Sequence, residues 1–383
     1  MLERSVEILR DLIAFPTIST DSNLEMIIWL EARLQALGAR CLITADESGT
    51  KANLFASLGP DAPGGIVLSG HTDVVPVADQ DWTSDPFKLV ERDGLFFGRG
   101  SCDMKGFIAA AMAFAETLSP DKLTRPLHFA FTHDEETGCL GAQHLVRELE
   151  AQNIRPDIVI IGEPTEMRII EGHKGCYEYT TQFTGLEGHG SAPDAGVNAA
   201  EYAVRYVTRL MELRETLKSR TPDGSRFDPP WTTINIGKVA GGVAHNVIVG
   251  KAEVEWEMRP VVTADADFVK AEIGTYVDDH LMPAMRAVHP AAGITTTTIG
   301  EVPGLEPMED NAARDLVAEL TGNNSVDLVA FGTEAGLFQA LGAHVVVCGP
   351  GSIQQAHKPD EYLAREQLGK CCDMLGRLAQ KLQ

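Results

Sequence analysis

The run Leu127-His128-Phe129-Ala130-Phe131 is apolar enough to be a buried strand, and it ends in Thr132-His133-Asp134-Glu135-Glu136-Thr137-Gly138. That ending narrows what the chain can become more than any other feature. Adjacent carboxylates repel one another and are costly to desolvate unless a cation or a shared proton compensates. Two further strand-like runs end in the same kind of load, at Ser69-Gly70-His71-Thr72-Asp73 and at Gly162-Glu163-Pro164-Thr165. Three loaded strand ends in one chain read as a metal site assembled along the carboxyl edge of a sheet.

The surrounding pattern supplies such a sheet. Helical spacing of Leu2, Val6, Leu9, Leu12 and Ile13, and again of Met26, Ile27, Leu30, Leu34 and Leu37 before Gly38, predicts two helices. Strand-like runs follow at 39–44, 53–58 and 65–69, then an alanine-rich helix at 106–118, a strand at 127–132, a helix at 141–151 and a strand at 157–161. This alternation predicts an α/β sheet with helices on both faces. Ligands of such sheets sit beyond the carboxyl ends of the strands. After about residue 176 the order becomes strand 177–184, helix 197–217, strands 232–239 and 245–259, helix 265–285 and strand 293–300. That is βαββαβ, the order of a ferredoxin-like sandwich. The α/β pattern returns with helix 310–321, strand 343–348 and a closing helix from 361. The expected organisation is one α/β domain in two parts, 1–176 and 291–383, with 177–290 inserted between them.

Bulk properties exclude several classes. A chain of 383 residues is long for one core and suits two domains. A net charge of −23 without a basic patch argues against nucleic acid, whose phosphates it would repel. No apolar run approaches the roughly 20 residues that a membrane helix needs, and the start of the chain has no signal-peptide pattern. The seven cysteines are scattered, with Cys371-Cys372 the only adjacent pair, which suits free thiols in a reducing cytoplasm.

The loaded strand ends suggest roles. Neutral imidazole from His71 is a good zinc ligand, and Asp73 two residues on can accept its other N–H. Asp103, in Gly98-Arg99-Gly100-Ser101-Cys102-Asp103-Met104-Lys105-Gly106, can bridge two metals from a turn into a helix. Glu136 and Glu163 are oxygen donors at neighbouring strand ends, and His357 lies in a loop before the last helix. The expected ligands are His71, Asp103, Glu136, Glu163 and His357, a mixture that suits zinc, cobalt or manganese better than calcium or magnesium. Glu135 beside a ligand is placed to serve as general base for an activated water. His128 and His144 fit strand and helix faces and are not expected ligands. His133 is expected to give support only, and Cys102 to be a packing residue.

Five ordered segments resemble the co-catalytic zinc aminoacylase and carboxypeptidase family: Ser69–Pro76 (SGHTDVVP), Gly98–Gly106 (GRGSCDMKG), Thr132–Gly138 (THDEETG), Gly162–Thr165 (GEPT) and Gln355–Glu361 (QAHKPDE). The resemblance implies a zinc-binding α/β domain with an inserted ferredoxin-like dimerisation lid, a homodimer, and two zinc ions per subunit for which cobalt can substitute. It implies that His71 and Glu163 hold one zinc, Glu136 and His357 the other, and that Asp103 bridges them ahead of a cis peptide to Met104. It makes Glu135 the general base and Asp73 the support of His71. Gly188-His189-Gly190-Ser191-Ala192-Pro193 resembles the lid segment whose histidine reaches the partner's active site to stabilise an oxyanion. The segments 235–237, 241–242 and 246–248, with Arg259, resemble lid strands that grip a substrate carboxylate, which would make Asn246 and Arg259 substrate contacts. The alternative for Arg259 is an ion pair within the lid. Gly190 stands where a serine is common and Val249 where a proline is usual, which bears on lid geometry more than on chemistry.

Within that family, Phe331-Gly332-Thr333-Glu334-Ala335-Gly336, Val347-Cys348-Gly349-Pro350-Gly351-Ser352 and Thr83-Ser84-Asp85-Pro86-Phe87 resemble the branch that hydrolyses N-acetyl-ornithine to acetate and ornithine, a step of arginine synthesis. Relatives acting on N-succinyl-diaminopimelate, on dipeptides or on other N-acyl amino acids are the alternatives. Glu334 either pairs with the substrate's δ-ammonium or caps a helix starting near Ala335.

Overall fold

The computed structural model describes residues 1–383, which divide into two compact units. The first comprises 1–172, 307–328 and 333–383, and the second comprises 173–306 with 329–332. The insertion therefore ends later than the expected boundary at 290. The reason is strand pairing: Gly293–Val302 is hydrogen-bonded along Cys176–Thr184 and so belongs to the inserted sheet.

The first unit is built on an eight-stranded mixed sheet. At its centre Ile66–His71 lies parallel to both Leu127–Thr132 and Ile158–Pro164, and the last of these runs parallel to His344–Gly349. Every residue of Ile66–His71, Leu127–Thr132 and Ile158–Pro164 is buried, as expected of parallel strands covered on both faces. Register brings the loaded ends together, since His71 stands opposite Thr132 and Ser69 opposite Ile161. The alanine-rich segment forms the helix Lys105–Ala115, buried along its whole length. Its small side chains allow close approach to the sheet. Gly162 makes the same allowance from the strand side, because a Cβ there would collide with the ring of Phe107. One short sheet escaped the sequence reading: Val90–Arg92, Leu95–Phe97 and Tyr362–Ala364, three strands of three residues each.

The second unit has a four-stranded antiparallel sheet. Its spatial order is Thr233–Gly241, Lys251–Arg259, Cys176–Thr184, Gly293–Val302. In Lys251–Arg259 the buried Ala252, Val254, Trp256 and Met258 alternate with partly exposed residues, so one face is apolar. Ala203, Tyr206, Leu210, Leu213 and Leu217 form a stripe at helical spacing on Ala199–Ser219 and join the same apolar cluster. Asn198 caps that helix by accepting from Ala200 N at 3.1 Å. The strand expected over 245–259 is interrupted. Val247–Ile248 instead pairs with Gly188–His189, and the longer strand starts at Lys251. No helix in either unit is long and apolar enough to cross a membrane.

Candidate metal centre

Asp103 stands between two histidines. His71 Nε2 lies 2.9 Å from its Oδ1, and His357 Nε2 lies 3.5 Å from its Oδ2. His71 Nε2 is also 3.7 Å from Glu163 Oε1, while His357 Nε2 is 2.9 Å from Glu136 Oε2. The structure thus gathers all five expected ligands around one carboxylate, with His71 and Glu163 on one side and Glu136 and His357 on the other. The peptide bond from Asp103 to Met104 is cis. Ligand atoms of His71, Glu135 and Glu163 lie within 4.8 Å of one another, as do those of His71, Asp103 and Glu136.

The residues fit a pair of cations. Four carboxylates, of Asp103, Glu135, Glu136 and Glu163, share this pocket, where their mutual repulsion is strong. Burial, and then the charge of Asp103, push the Glu163 carboxyl well above its usual range. Its buried Oε1 has no hydrogen-bond partner, a costly condition that a metal ion would relieve. Burial likewise lifts Glu135 to about 8. Hydrogen bonds to Asp103 and Glu136 lift His357 to about 10.

Asp73 supports the site differently from expectation. The Nδ1 of His71 is 2.9 Å from the backbone carbonyl of Asp73, whereas its carboxylate is 3.6 Å away. That carboxylate instead accepts from the backbone N–H groups of Glu135 and Glu136, at 3.1 and 3.4 Å, and from Ser19 Oγ at 2.7 Å. It therefore fixes the main chain of Glu135, the expected base, and of Glu136, an expected ligand. Cys139 was not foreseen either; its buried thiol donates to Glu135 Oε1 at 3.5 Å.

Glu334 departs from both readings offered for it. Its side chain does not cap the helix Ala335–Ala340, where Thr333 Oγ1 accepts from Ala335 N instead. The residue is 1% exposed. Its two oxygens accept from Ser69 Oγ at 2.5 Å and from Thr132 Oγ1 at 2.8 Å. A carboxylate enclosed and satisfied in this way is not presented to a substrate ammonium. The physical reason is that its hydroxyl partners lie on the two strands that end in His71 and the Glu135-Glu136 pair.

His189, Asn246 and Arg259 lie in the second unit. His189 is exposed, with its Nδ1 2.7 Å from Ser191 Oγ. Gly190 N donates to Asn246 O at 2.8 Å, so the expected lid histidine and Asn246 share one pinned corner. Arg259 makes two hydrogen bonds to Glu257, at 2.7 and 3.0 Å, so the ion pair within the unit is the arrangement present. Among the other histidines, His128 sits between Ser57 Oγ and Gly64 O, away from the centre. His133 is buried with neither ring nitrogen hydrogen-bonded, Nδ1 lying 3.2 Å from Asp134. Cys102 is buried, its thiol 3.4 Å from Ser352 O.

Comparison with known proteins places the whole chain. The chain is 36% identical over 380 residues to an acetylornithine deacetylase of Photorhabdus laumondii, covering 97% of this chain and 96% of that protein. It is 35% identical over 383 residues to one of Pasteurella multocida, covering 96% and 95%. Among solved structures, a metallo-carboxypeptidase of Sulfolobus solfataricus superposes with a TM-score of 0.74 at 16% identity, over 99% of this chain and 98% of that one. A dinuclear metal-binding peptidase of Bacillus subtilis gives 0.66 at 17% identity, over 100% and 98%. At such identities these two speak for the fold alone. The model of peptidase family M20/M25/M40 matches residues 67–381, and with it the chain belongs to that family of hydrolases.

Proposed function

We propose that the chain removes the acetyl group from N-acetyl-L-ornithine, giving acetate and L-ornithine. The observation that carries this reading is identity of 35–36% to acetylornithine deacetylases along almost the whole chain. Two zinc ions per subunit, with cobalt as a substitute, would be held by His71, Asp103, Glu136, Glu163 and His357, and would polarise the amide carbonyl and acidify water. Glu135 takes the proton of the attacking water and later delivers it to the departing α-amine. Asp73 keeps Glu135 in register through its main chain. The second unit, whose βαββαβ order is that of a ferredoxin-like sandwich, acts as the lid of a homodimer. In that homodimer the lid of one subunit serves the centre of its partner, where His189 donates to the carbonyl oxygen as negative charge develops. Asn246 contacts the substrate, and Arg259 exchanges Glu257 for the α-carboxylate. Free cysteines throughout are in keeping with a reducing cytoplasm.

The test is ornithine release from N-acetyl-ornithine by purified protein with and without added zinc or cobalt. N-succinyl-diaminopimelate, N-acetyl-methionine and a dipeptide are run beside it. Metal-dependent turnover with strong preference for N-acetyl-ornithine is the expected result. Preference for another member of the panel would keep the hydrolytic site and overturn the substrate.

A further inference from the structure

His357 is the least protected of the five ligands. Its side chain is 53% exposed, against 1% for His71 and 8% for Glu136. Its backbone has φ +63°, a left-handed conformation that a non-glycine residue keeps only where its surroundings impose it. A connected set of polar groups surrounds that backbone. Gln80 Nε2 donates to the carbonyl of His357 at 3.0 Å. The other end of the same amide is occupied, since Gln80 Oε1 accepts from Arg99 Nη2 at 2.5 Å and from Trp82 Nε1 at 3.1 Å. Two donors on Oε1 leave one orientation for the amide, the one that turns Nε2 towards His357.

Arg99 extends the set. It is buried, and its Nη1 donates to the next carbonyl, that of Lys358, at 3.2 Å and to Glu361 at 2.7 Å. Glu361 in turn accepts from the backbone N–H groups of Cys102 and Asp103 at 2.8 and 3.0 Å. The loop that carries the exposed histidine is thereby tied to the turn that carries the bridging carboxylate.

We infer that Gln80, oriented by Arg99, is a positioning residue that holds His357 at its working distance from Asp103 and so sets affinity at the metal position shared by Glu136 and His357. The inference rests on the two-metal reading above. Gln80 bonds the main chain of His357 directly and touches neither His71 nor Glu163, so its influence falls first on the position that His357 shares. Partners that orient a ligand are worth about 10–100-fold in metal affinity.

The experiment is calorimetric titration of metal-free protein with zinc, using wild type, Gln80→Glu, Gln80→Ala and His357→Ala, together with thermal unfolding of each metal-free protein. Gln80→Glu keeps an acceptor for Arg99 and Trp82 but can no longer donate to His357. Both Gln80 variants should weaken, by about 10-fold or more, the same binding event that His357→Ala removes. In Gln80→Glu, which keeps the acceptor of Arg99 and Trp82, the other event should be weakened less and the metal-free melting temperature should stay at the wild-type value. Two unchanged events in Gln80→Glu would overturn the inference while leaving the two-metal reading intact. A joint weakening of both events with a lower melting temperature would also overturn it, by showing a role in folding alone. A wild type with a single event would overturn the two-metal reading, and the inference with it.

Discussion

Asp73 Oδ1 accepts the backbone N–H of Glu135 at 3.1 Å, so the residue two positions after one proposed metal ligand fixes the main chain of the proposed base. The imidazole of His71 is held separately, by the carbonyl of Asp73. The two tasks can therefore be parted by substitution. Asp73→Asn keeps the carbonyl but weakens a charge-assisted acceptor shared by Glu135, Glu136 and Ser19. We expect kcat to fall about 100-fold, the size of effect that a small misplacement of a catalytic group produces. Zinc content should stay at the wild-type level. Loss of zinc in parallel with kcat would instead mean that the carboxylate serves His71.

Glu135→Gln tests the base itself. The amide preserves shape but cannot take a proton, and general-base contributions run to about 10²–10⁴-fold. Turnover should drop by that order, with metal content and melting temperature unchanged. Retention of most of the rate would assign proton transfer to another group.

Metal binding should release protons. In the metal-free protein burial keeps Glu163 protonated well above the usual carboxylate range, and hydrogen bonds to Asp103 and Glu136 raise His357 to about 10. At pH 7 His357 carries a proton that a ligand must lose, and the upward shift of Glu163 acts in the same direction. The sign follows: raising the pH removes the competing proton, so zinc affinity should climb with pH towards the value to which His357 is lifted. Calorimetry at pH 7 in buffers of different ionisation enthalpy should show proton release on zinc binding, with His357 contributing about one proton per chain. Heats independent of the buffer would contradict these raised values.

The parts of this centre that the sequence made legible are those whose signal is local. A buried apolar strand ending in histidine or adjacent glutamates is costly without a ligand, and that expense marked His71, Glu136 and Glu163. Alanine-rich composition likewise exposed the helix around Ala109–Ala113. Contacts between distant segments left no such trace. Glu361 reaches Asp103 N across 258 positions, and Gln80 reaches His357 across 277. The boundary at 290 cut off strand 293–300, which the βαββαβ order had already assigned to the insert and which the pairing of Thr295 with Gln182 places there. His71 presents a subtler case: the spacing to Asp73 suggested a carboxylate partner, but folding put the carbonyl of that residue nearer.

Glu334 turns the difference between a surface reader and an internal strut into a prediction. Its oxygens join Ser69 and Thr132, hydroxyls from adjacent strands and 265 and 202 positions away in the chain. Burial raises its carboxyl above the ordinary value, and an amide of the same shape still offers an oxygen to these hydroxyls. Glu334→Gln should therefore be mild and should affect every substrate in the panel alike. Glu334→Ala leaves two buried hydroxyls without this partner and a cavity between the strands, at a combined cost of roughly 2–4 kcal/mol. Thermal unfolding should show that loss, and turnover should fall uniformly as the strand ends bearing His71 and Glu135 lose their tie. A drop confined to substrates with a side-chain amine, with stability preserved, would return Glu334 to the substrate pocket.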